Sequence, residues 1–111
     1  MLAKAQRIRQ GQDFRDIYKN GARIHGQYIL LFFRPGTEAN SRIGFVVSNK
    51  VGHAVVRNRF KRRLRAMLRQ MLPELKNPYD IVINARPNIT ASSSEELRKD
   101  LLLALKKAKL C

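Results

Sequence analysis

Residues 51 to 72 combine a dense run of positive charge with an apolar repeat, and this combination constrains the fold more than any other part of the chain. From Arg57 to Arg69 there are seven Arg or Lys residues, and no acidic residue occurs between Glu38 and Glu74. Apolar side chains nevertheless recur at three- and four-residue spacing, which predicts a long helix with one buried side. The residues of that side are Val56, Phe60, Leu64, Met67, Leu68 and Met71.

The opposite side of this helix is polar and positively charged. At about 100° per residue, an arc of roughly 60° contains Asn58, Arg62, Arg65 and Arg69. Arg59 and Lys61 lie on its flanks. Neighbouring cations on one helix face repel one another, so the sequence gives up helix stability here. A polyanion lying along several turns would remove this repulsion, and the pattern therefore predicts a helix that docks on nucleic acid.

Composition indicates a basic single-domain protein with an anionic partner. The 111 residues suffice for one domain with a modest core, predicted over residues 1–111 with a basic arm at 1–10. A net charge of +15 fits nucleic acid, an anionic membrane or an acidic protein. Membrane binding needs an exposed apolar face beside the charge, but the apolar side of the basic helix is required for the core. Nucleic acid is therefore the expected partner, and no membrane is expected.

Cysteine usage and the amino-terminal sequence favour the cytoplasm. Cys111 is the only cysteine, which excludes a disulfide within the chain and a cysteine metal cluster. Residues 1–10 contain no hydrophobic segment of signal-peptide type, and no apolar run approaches the ~18 residues of a membrane span. Lys4, Arg7 and Arg9 predict instead a basic arm that orders against RNA.

The residues before the basic helix predict one helix and up to three strands. Residues 13–20 are interpreted as a short helix, and residues 22–26 as a short edge strand. The uninterrupted apolar run at 27–34 predicts a strand covered on both sides. Residues 42–48 predict another strand, interpreted as the hairpin partner of the strand at 27–34.

The residues after the basic helix predict one strand and one helix. Residues 79–85 form the last clear strand, and two adjacent capping boxes follow, Ser92 with Glu95 or Ser93 with Glu96. The buried stripe of the final helix is Leu97, Leu101, Ala104, Leu105 and Ala108. The order helix, two or three strands, helix, strand, helix predicts an α/β sandwich on a mixed sheet.

Residues with catalytic or metal-binding potential are few. His25 and His53 are far apart and have no Cys or Glu at ligand spacing, which argues against a zinc site. Asp80, at a strand start, is interpreted as the structural partner of an arginine. The eight acidic residues are scattered, so a nuclease site made of protein side chains is not expected, and no catalytic or metal-ligating residue is predicted.

The basic helix also resembles the signature of the bacterial ribonuclease P protein component. The matching positions in this helix are Val51, Ala54, Arg57-Asn58-Arg59, Lys61-Arg62 and Leu64-Arg65. Further matches are Asp13-Phe14, Ile17-Tyr18, Arg42-Ile43-Gly44, Ser48-Asn49-Lys50 and the strand at 80–86. The resemblance covers about residues 7 to 108, and the order of elements agrees with the order predicted from the residues themselves.

The resemblance implies a particular version of the sandwich. It is a two-layer α+β sandwich with a mixed, mostly antiparallel sheet of about four strands and three helices, in the order α-β-β-β-α-β-α. The resemblance further implies a left-handed β-α-β crossover, as in a domain of a small-subunit ribosomal protein. General chirality alone favours the right-handed form.

The resemblance implies a ribonucleoprotein endonuclease that removes the 5′ leader of precursor tRNA. Its RNA subunit would catalyse cleavage with Mg²⁺ held mainly by RNA, and one protein monomer would bind each RNA subunit. The residues implied to bind the RNA subunit are Arg57, Asn58, Arg59, Lys61, Arg62, Arg65 and Arg69. Those implied to bind the single-stranded leader are Phe14, Tyr18, Lys50 and Arg86. A third leader-facing aromatic position on the strand at 27–34 could correspond to Tyr28, Leu31 or Phe32.

The sequence also allows other roles for the aromatic residues and other functions for the protein. Phe14 and Tyr18 share one helix face and could simply pack in the core. A basic ribosomal or structural RNA-binding protein would share this size and charge. A self-sufficient metal-dependent ribonuclease lacks support from a carboxylate cluster, and DNA binding lacks varied side chains for reading base edges.

Overall fold

The structure, a computed structural model, describes residues 8, 11–36, 41–71, 73 and 78–110. Its main elements are α1 (Gly11–Asn20), β1 (Ala22–His25), β2 (Ile29–Pro35), β3 (Arg42–Val46), α2 (Ala54–Met71), β4 (Tyr79–Ala85) and α3 (Ser94–Lys107). A 3₁₀ turn, Pro87–Ala91, connects β4 to α3 and was not predicted. The order α-β-β-β-α-β-α and the α+β sandwich are confirmed.

The four strands form one mixed sheet in the order β1-β2-β4-β3. The predicted hairpin between β2 and β3 is therefore wrong. β2 pairs antiparallel with β1 and β4, and β3 pairs parallel with β4. β4 is buried over most of its length and takes the central position, whereas β3 is more exposed and lies at an edge. β3, α2 and β4 together form the predicted β-α-β crossover. Its left-handed sense stays a prediction.

The main core lies between one face of the sheet and the two long helices. Leu31 and Ile83 of the central strands pack there against buried side chains of α2 and α3. The predicted buried side of α2 is confirmed: Phe60, Leu64, Met67, Leu68 and Met71 are buried, and Val56 is partly buried against them.

A smaller core lies on the other face of the sheet, beneath α1. Side chains alternate along a strand, so Phe32 and Val82 point away from the main core and pack with Ile17 of α1. Ile8 joins this cluster, and its N–H donates to the carbonyl oxygen of Ile43 in the edge strand at 3.0 Å. The predicted coverage of the apolar strand on both sides is confirmed at Leu31 and Phe32, whereas Leu30 is only partly buried. Of the predicted arm at 1–10, only Ile8 lies within the described residues.

Gly21 permits the close approach between the end of α1 and the sheet. Its N–H donates to the carbonyl oxygen of Ile17 at 2.9 Å. A Cβ atom at this position would lie 2.5 Å from that oxygen and 2.7 Å from the carbonyl oxygen of Phe33. Both distances are too short for real carbon–oxygen contacts, so a side chain here would push α1 off the sheet.

The start of α3 follows the second of the two predicted capping boxes. The Ser93 hydroxyl accepts a hydrogen bond from the Glu96 N–H at 3.1 Å, and the Glu96 carboxylate accepts one from the Ser93 N–H at 3.0 Å. The buried stripe is confirmed for Leu97, Leu101, Ala104 and Leu105; Ala108 lies at the end of the helix and is partly buried.

Truncating Leu64 tests the buried side of α2. Leu64 is fully buried, so Leu64→Ala is expected to lower the free energy of unfolding by ~2–5 kcal/mol through lost apolar burial and a cavity. Urea titration followed by circular dichroism measures this loss. Asn58→Ala, on the exposed side of the same helix, is the control and should change stability by less than ~0.5 kcal/mol. Similar small losses for both variants would contradict the buried assignment.

Candidate RNA interface

The outer face of α2 is a continuous basic surface. It carries no acidic residue along its 18 residues. Asn58, Arg62 and Arg69 are exposed, and Lys61 and Arg65 are partly exposed, as their helical spacing predicts. We call these five residues the basic face. Within the described part of the chain, the acidic side chains belong to α1, β4 and α3, so the basic face is not neutralised by its neighbours.

One arginine of the basic face and two on its flanks contact aromatic rings. The guanidinium of Arg65 lies 6.0 Å from the ring centre of Phe45 in β3. Arg63 and Arg59 lie 5.2 and 5.9 Å from the ring of Phe60. Such contacts restrict the arginine side chains while leaving their N–H groups available. Arg63 was absent from the predicted set because its helical position is close to the buried side.

Arg57 differs from the other arginines of the predicted set. Its side chain is only partly exposed, and its Nε atom is buried without a hydrogen-bond partner among the described residues. It lies in the first turn of α2, beside a shallow concavity that is also lined by Asn49, Gly52 and His53. Arg57 and Arg59 thus flank the exposed Asn58 at the amino-terminal end of α2.

A buried ion-pair network fixes α1 to the sheet. Asp80 of β4 is fully buried and accepts hydrogen bonds from Arg42 at 2.8 and 3.0 Å and from Arg34 at 3.1 Å. The same two arginines reach Asp13 of α1 at 3.3 and 3.5 Å, and Asp16 lies 3.9 Å from Arg34. The predicted structural role of Asp80 as an arginine partner is confirmed.

The network changes the proton affinities of its members. Burial raises the pKa of Asp80, but the hydrogen bonds and charges of Arg42 and Arg34 outweigh burial and hold this pKa below its usual value. The hydrogen bond to Asp80 correspondingly raises the pKa of Arg42. Asp80 and Arg42 are therefore charged at neutral pH. The ion pairs to Asp13 and Asp16 hold the part of α1 that carries Phe14 against the sheet.

Beside α1, part of the sheet remains uncovered. Directly opposite residues of neighbouring strands share a face, and the pairing register aligns His25, Leu30, Asn84 and Val46 in one row. Leu30 and Val46 border the smaller core under α1, which places the row on that side of the sheet. None of the four is buried. We call this row, together with Tyr18, the open sheet face.

The two predicted aromatic residues of α1 have different environments. Tyr18 is 38% exposed, its ring lies edge-on to Phe32 with centroids 4.7 Å apart, and its hydroxyl donates to Oδ1 of Asn84 at 3.0 Å. Burial raises the pKa of Tyr18 above its usual value. Phe14 is partly buried against Gly44, where a Cβ atom would lie 2.7 Å from its ring. Tyr18 is thus accessible, whereas Phe14 has a large packing role.

The structure also distinguishes the three aromatic or apolar candidates in the strand at 27–34. Tyr28 and Leu31 belong to the main core, on the side of α2 and α3. Phe32 lies on the α1 side, in contact with Tyr18, but it is 8% exposed. Phe32 is therefore the member of the three that faces α1, and its ring packs against that of Tyr18.

Lys50 and Arg86 lie at one end of the open sheet face. β3 and β4 run parallel, so the residues that follow them emerge at the same edge of the sheet. Lys50 is exposed in the turn after β3. Arg86 follows β4, and its Nη2 lies 3.1 Å from Nδ1 of His25. His25 and Asn84 were not predicted as site residues, because their position on this face depends on strand pairing.

A basic helix face, together with a sheet face that presents an exposed aromatic ring, defines a class: a small, basic α+β protein that assembles with RNA. In the described part of the chain, no helix has the length and apolarity to cross a membrane.

The comparisons with known proteins identify the family within this class. The Ribonuclease P family model matches residues 2–109. The chain is 40% identical over 110 residues to the ribonuclease P protein component of Syntrophomonas wolfei, covering 99% of this chain and 92% of that protein. The chain belongs to the ribonuclease P protein component family.

Solved structures of two relatives have the same fold. The ribonuclease P protein of Staphylococcus aureus superposes with a TM-score of 0.89 at 30% identity, covering 96% of this chain and 98% of that one. The ribonuclease P protein of Thermotoga maritima gives a TM-score of 0.81 at 31% identity, covering 91% and 96%. The chain is thus the protein subunit of an endoribonuclease that contains an RNA subunit.

Proposed function

We propose that α2 docks this protein on the catalytic RNA subunit of ribonuclease P. The observation that carries the proposal is the basic face, which presents cations and one amide over several turns without an acid. The proposed contacts run from Arg57, Asn58 and Arg59 through Lys61, Arg62 and Arg65 to Arg69. The arginines and Lys61 bind phosphates, and Asn58 donates and accepts hydrogen bonds. Released counterions supply much of the affinity, which therefore falls with salt concentration.

The open sheet face is proposed to receive the single-stranded 5′ leader of precursor tRNA. Tyr18 offers an accessible ring for stacking, and Leu30 and Val46 extend the apolar surface beside it. Stacking is tolerant of base identity, which suits leaders of different sequence and would broaden substrate recognition. Lys50 and Arg86 supply positive charge at the end of this face for leader phosphates, and Phe14 holds α1 in place beneath the leader.

Catalysis is proposed to reside in the RNA subunit, with Mg²⁺ held mainly by that RNA and the substrate. The described side chains do not fit a resident magnesium ion, which prefers oxygen ligands such as carboxylates. Where the structure describes the chain, no three of its His, Cys, Asp and Glu side chains form a group that could hold a metal ion. The basic face would screen repulsion between RNA backbones and so lower the magnesium concentration that the complex requires. We further propose that one protein binds each RNA subunit and that the complex acts in the cytoplasm.

Reconstitution at low magnesium tests this function. The protein is added to a cognate RNA subunit at a magnesium concentration where the RNA alone cleaves precursor tRNA slowly, and release of the 5′ leader is followed. We expect the protein to restore cleavage at the mature 5′ end, and RNA-free protein to leave the substrate intact. Cleavage by RNA-free protein would contradict catalysis by RNA.

Tyr18→Ala tests the leader-binding face. The variant is expected to weaken holoenzyme binding of precursor tRNA by ~1–3 kcal/mol, the contribution of one stacked base, with no change for mature tRNA. Tyr18→Phe keeps the ring, loses the hydrogen bond to Asn84 and should bind precursor nearly as well as the original protein. Equilibrium binding of both RNAs provides the measurement. Equal losses for precursor and mature tRNA would exclude a leader-specific role.

A further inference from the structure

His25 holds the side chain of Arg86 at the end of the open sheet face. The Nη2 atom of Arg86 lies 3.1 Å from Nδ1 of His25. A guanidinium group has only donors, so the imidazole nitrogen must accept this hydrogen bond. The tautomer that makes this contact carries its ring proton on Nε2. Its ring is exposed, opposite Leu30 in the strand register, and belongs to the same face as Tyr18.

Arg86 is restrained at two further points. Its Nε donates to the carbonyl oxygen of Ile29 at 3.4 Å, and its backbone N–H donates to the carbonyl oxygen of Tyr28 at 2.9 Å. The side chain therefore crosses β2 and reaches β1 instead of extending freely into solvent. A guanidinium has five N–H groups, and these contacts use one on Nε and one on Nη2. Among the described residues the remaining N–H groups have no partner and can bind a phosphate.

We propose that His25 is a positioning residue that orients Arg86 toward a phosphodiester of the single-stranded leader. The inference rests on the proposed function, because it presupposes that the leader crosses the open sheet face. An arginine held in place loses less side-chain entropy when it binds than a mobile one. His25 thus acts through Arg86 and has no contact with RNA of its own.

A double-mutant cycle in the reconstituted holoenzyme tests this role. Binding of precursor tRNA and of mature tRNA is measured for the original protein, His25→Ala, Arg86→Ala and the double variant. We expect Arg86→Ala to weaken precursor binding about tenfold, as loss of a charge-assisted hydrogen bond predicts, and His25→Ala about threefold. The double variant should equal Arg86→Ala, and mature tRNA binding should not change.

His25→Asn separates positioning from other effects of losing the ring. An asparagine Oδ1 occupies nearly the place of the histidine Nδ1 and accepts the same hydrogen bond from Arg86. This variant should restore precursor affinity to within about twofold of the original protein, less than the effect of one hydrogen bond. Failure of His25→Asn to restore affinity while all variants melt at the same temperature would overturn the positioning role.

Each remaining result has a defined meaning. A full threefold effect of His25→Ala in the Arg86→Ala background would show that His25 contacts RNA directly and would overturn the inference. If Arg86→Ala weakens precursor binding but His25→Ala leaves it unchanged, the inference is also overturned, although the leader proposal then stands. Equal losses for precursor and mature tRNA would place the phosphate outside the leader and would likewise overturn the inference. If Tyr18→Ala and Arg86→Ala both leave precursor binding unchanged, the proposed leader function itself fails.

Discussion

Arg62→Glu combined with Arg65→Glu is expected to weaken binding of the RNA subunit by at least about a hundredfold, since each arginine contributes a charge-assisted phosphate contact. Both side chains belong to the basic face, and neither is needed to fill the main core. The slope of log affinity against log salt should also become shallower by about two, one for each lost phosphate contact. Titration of labelled RNA subunit at several salt concentrations measures both quantities.

A matched control distinguishes a docking surface from a general effect of charge. Lys106→Glu with Lys107→Glu makes the same change in net charge at two exposed positions of α3, away from the basic face. We expect only a small loss of affinity for this variant. Equal losses in the two double variants would mean that the RNA responds to the overall charge of the protein, and the assignment of the basic face would be withdrawn.

Asp80→Asn is expected to lower the free energy of unfolding by ~3–5 kcal/mol, because it leaves two partly buried arginines without their central carboxylate. That loss is a large part of the ~5–15 kcal/mol typical of a small domain. Asp16→Asn is the control: its carboxylate is 39% exposed and lies 3.9 Å from Arg34, so the loss should stay below ~1 kcal/mol. Urea unfolding at neutral pH measures both. Comparable losses would refute the central role of Asp80.

The pH dependence of stability provides a second readout for Asp80. The pKa of Asp80 in the folded protein lies below its usual value, so the charged carboxylate stabilises the fold. This contribution is fully present above the unfolded-state pKa of about 3.9 and is lost as the pH falls through the lower folded-state pKa. The stability difference between the original protein and Asp80→Asn should therefore shrink on acidification. A difference that stays constant in acid would contradict the ionic role.

The features predicted correctly from sequence depend on residues close together in the chain. The apolar repeat from Val56 to Met71 determined which side of α2 is buried, and the spacing of Ser93 and Glu96 determined the start of α3. The position of Asp80 at the start of a strand was enough to interpret it as an arginine partner, and its burial in the structure makes such a partner necessary. The identity of its partners, Arg34 and Arg42, required the sheet.

The features that sequence did not reveal depend on competition between distant strands. β2 and β3 follow each other in the chain, which favours a hairpin, but β4 pairs with both and separates them. The open sheet face follows from that pairing, since His25 and Asn84 come from strands far apart in sequence. Neither residue carries a local signal that places it beside Tyr18. The hydrogen bond between His25 and Arg86 could not be predicted from sequence for the same reason.

The central position of β4 has a consequence for how the chain acquires its fold during synthesis. β2 pairs with β4 across 44 positions at Pro35 and Tyr79, and across 56 at Ile29 and Ala85. Because contacts between distant residues form slowly, and β3 has β4 as its strand neighbour, half of the sheet has to wait for translation to pass Ala85. Until then the nascent α2 has no completed sheet to cover its apolar side. We therefore expect folding on the ribosome to be a single late event.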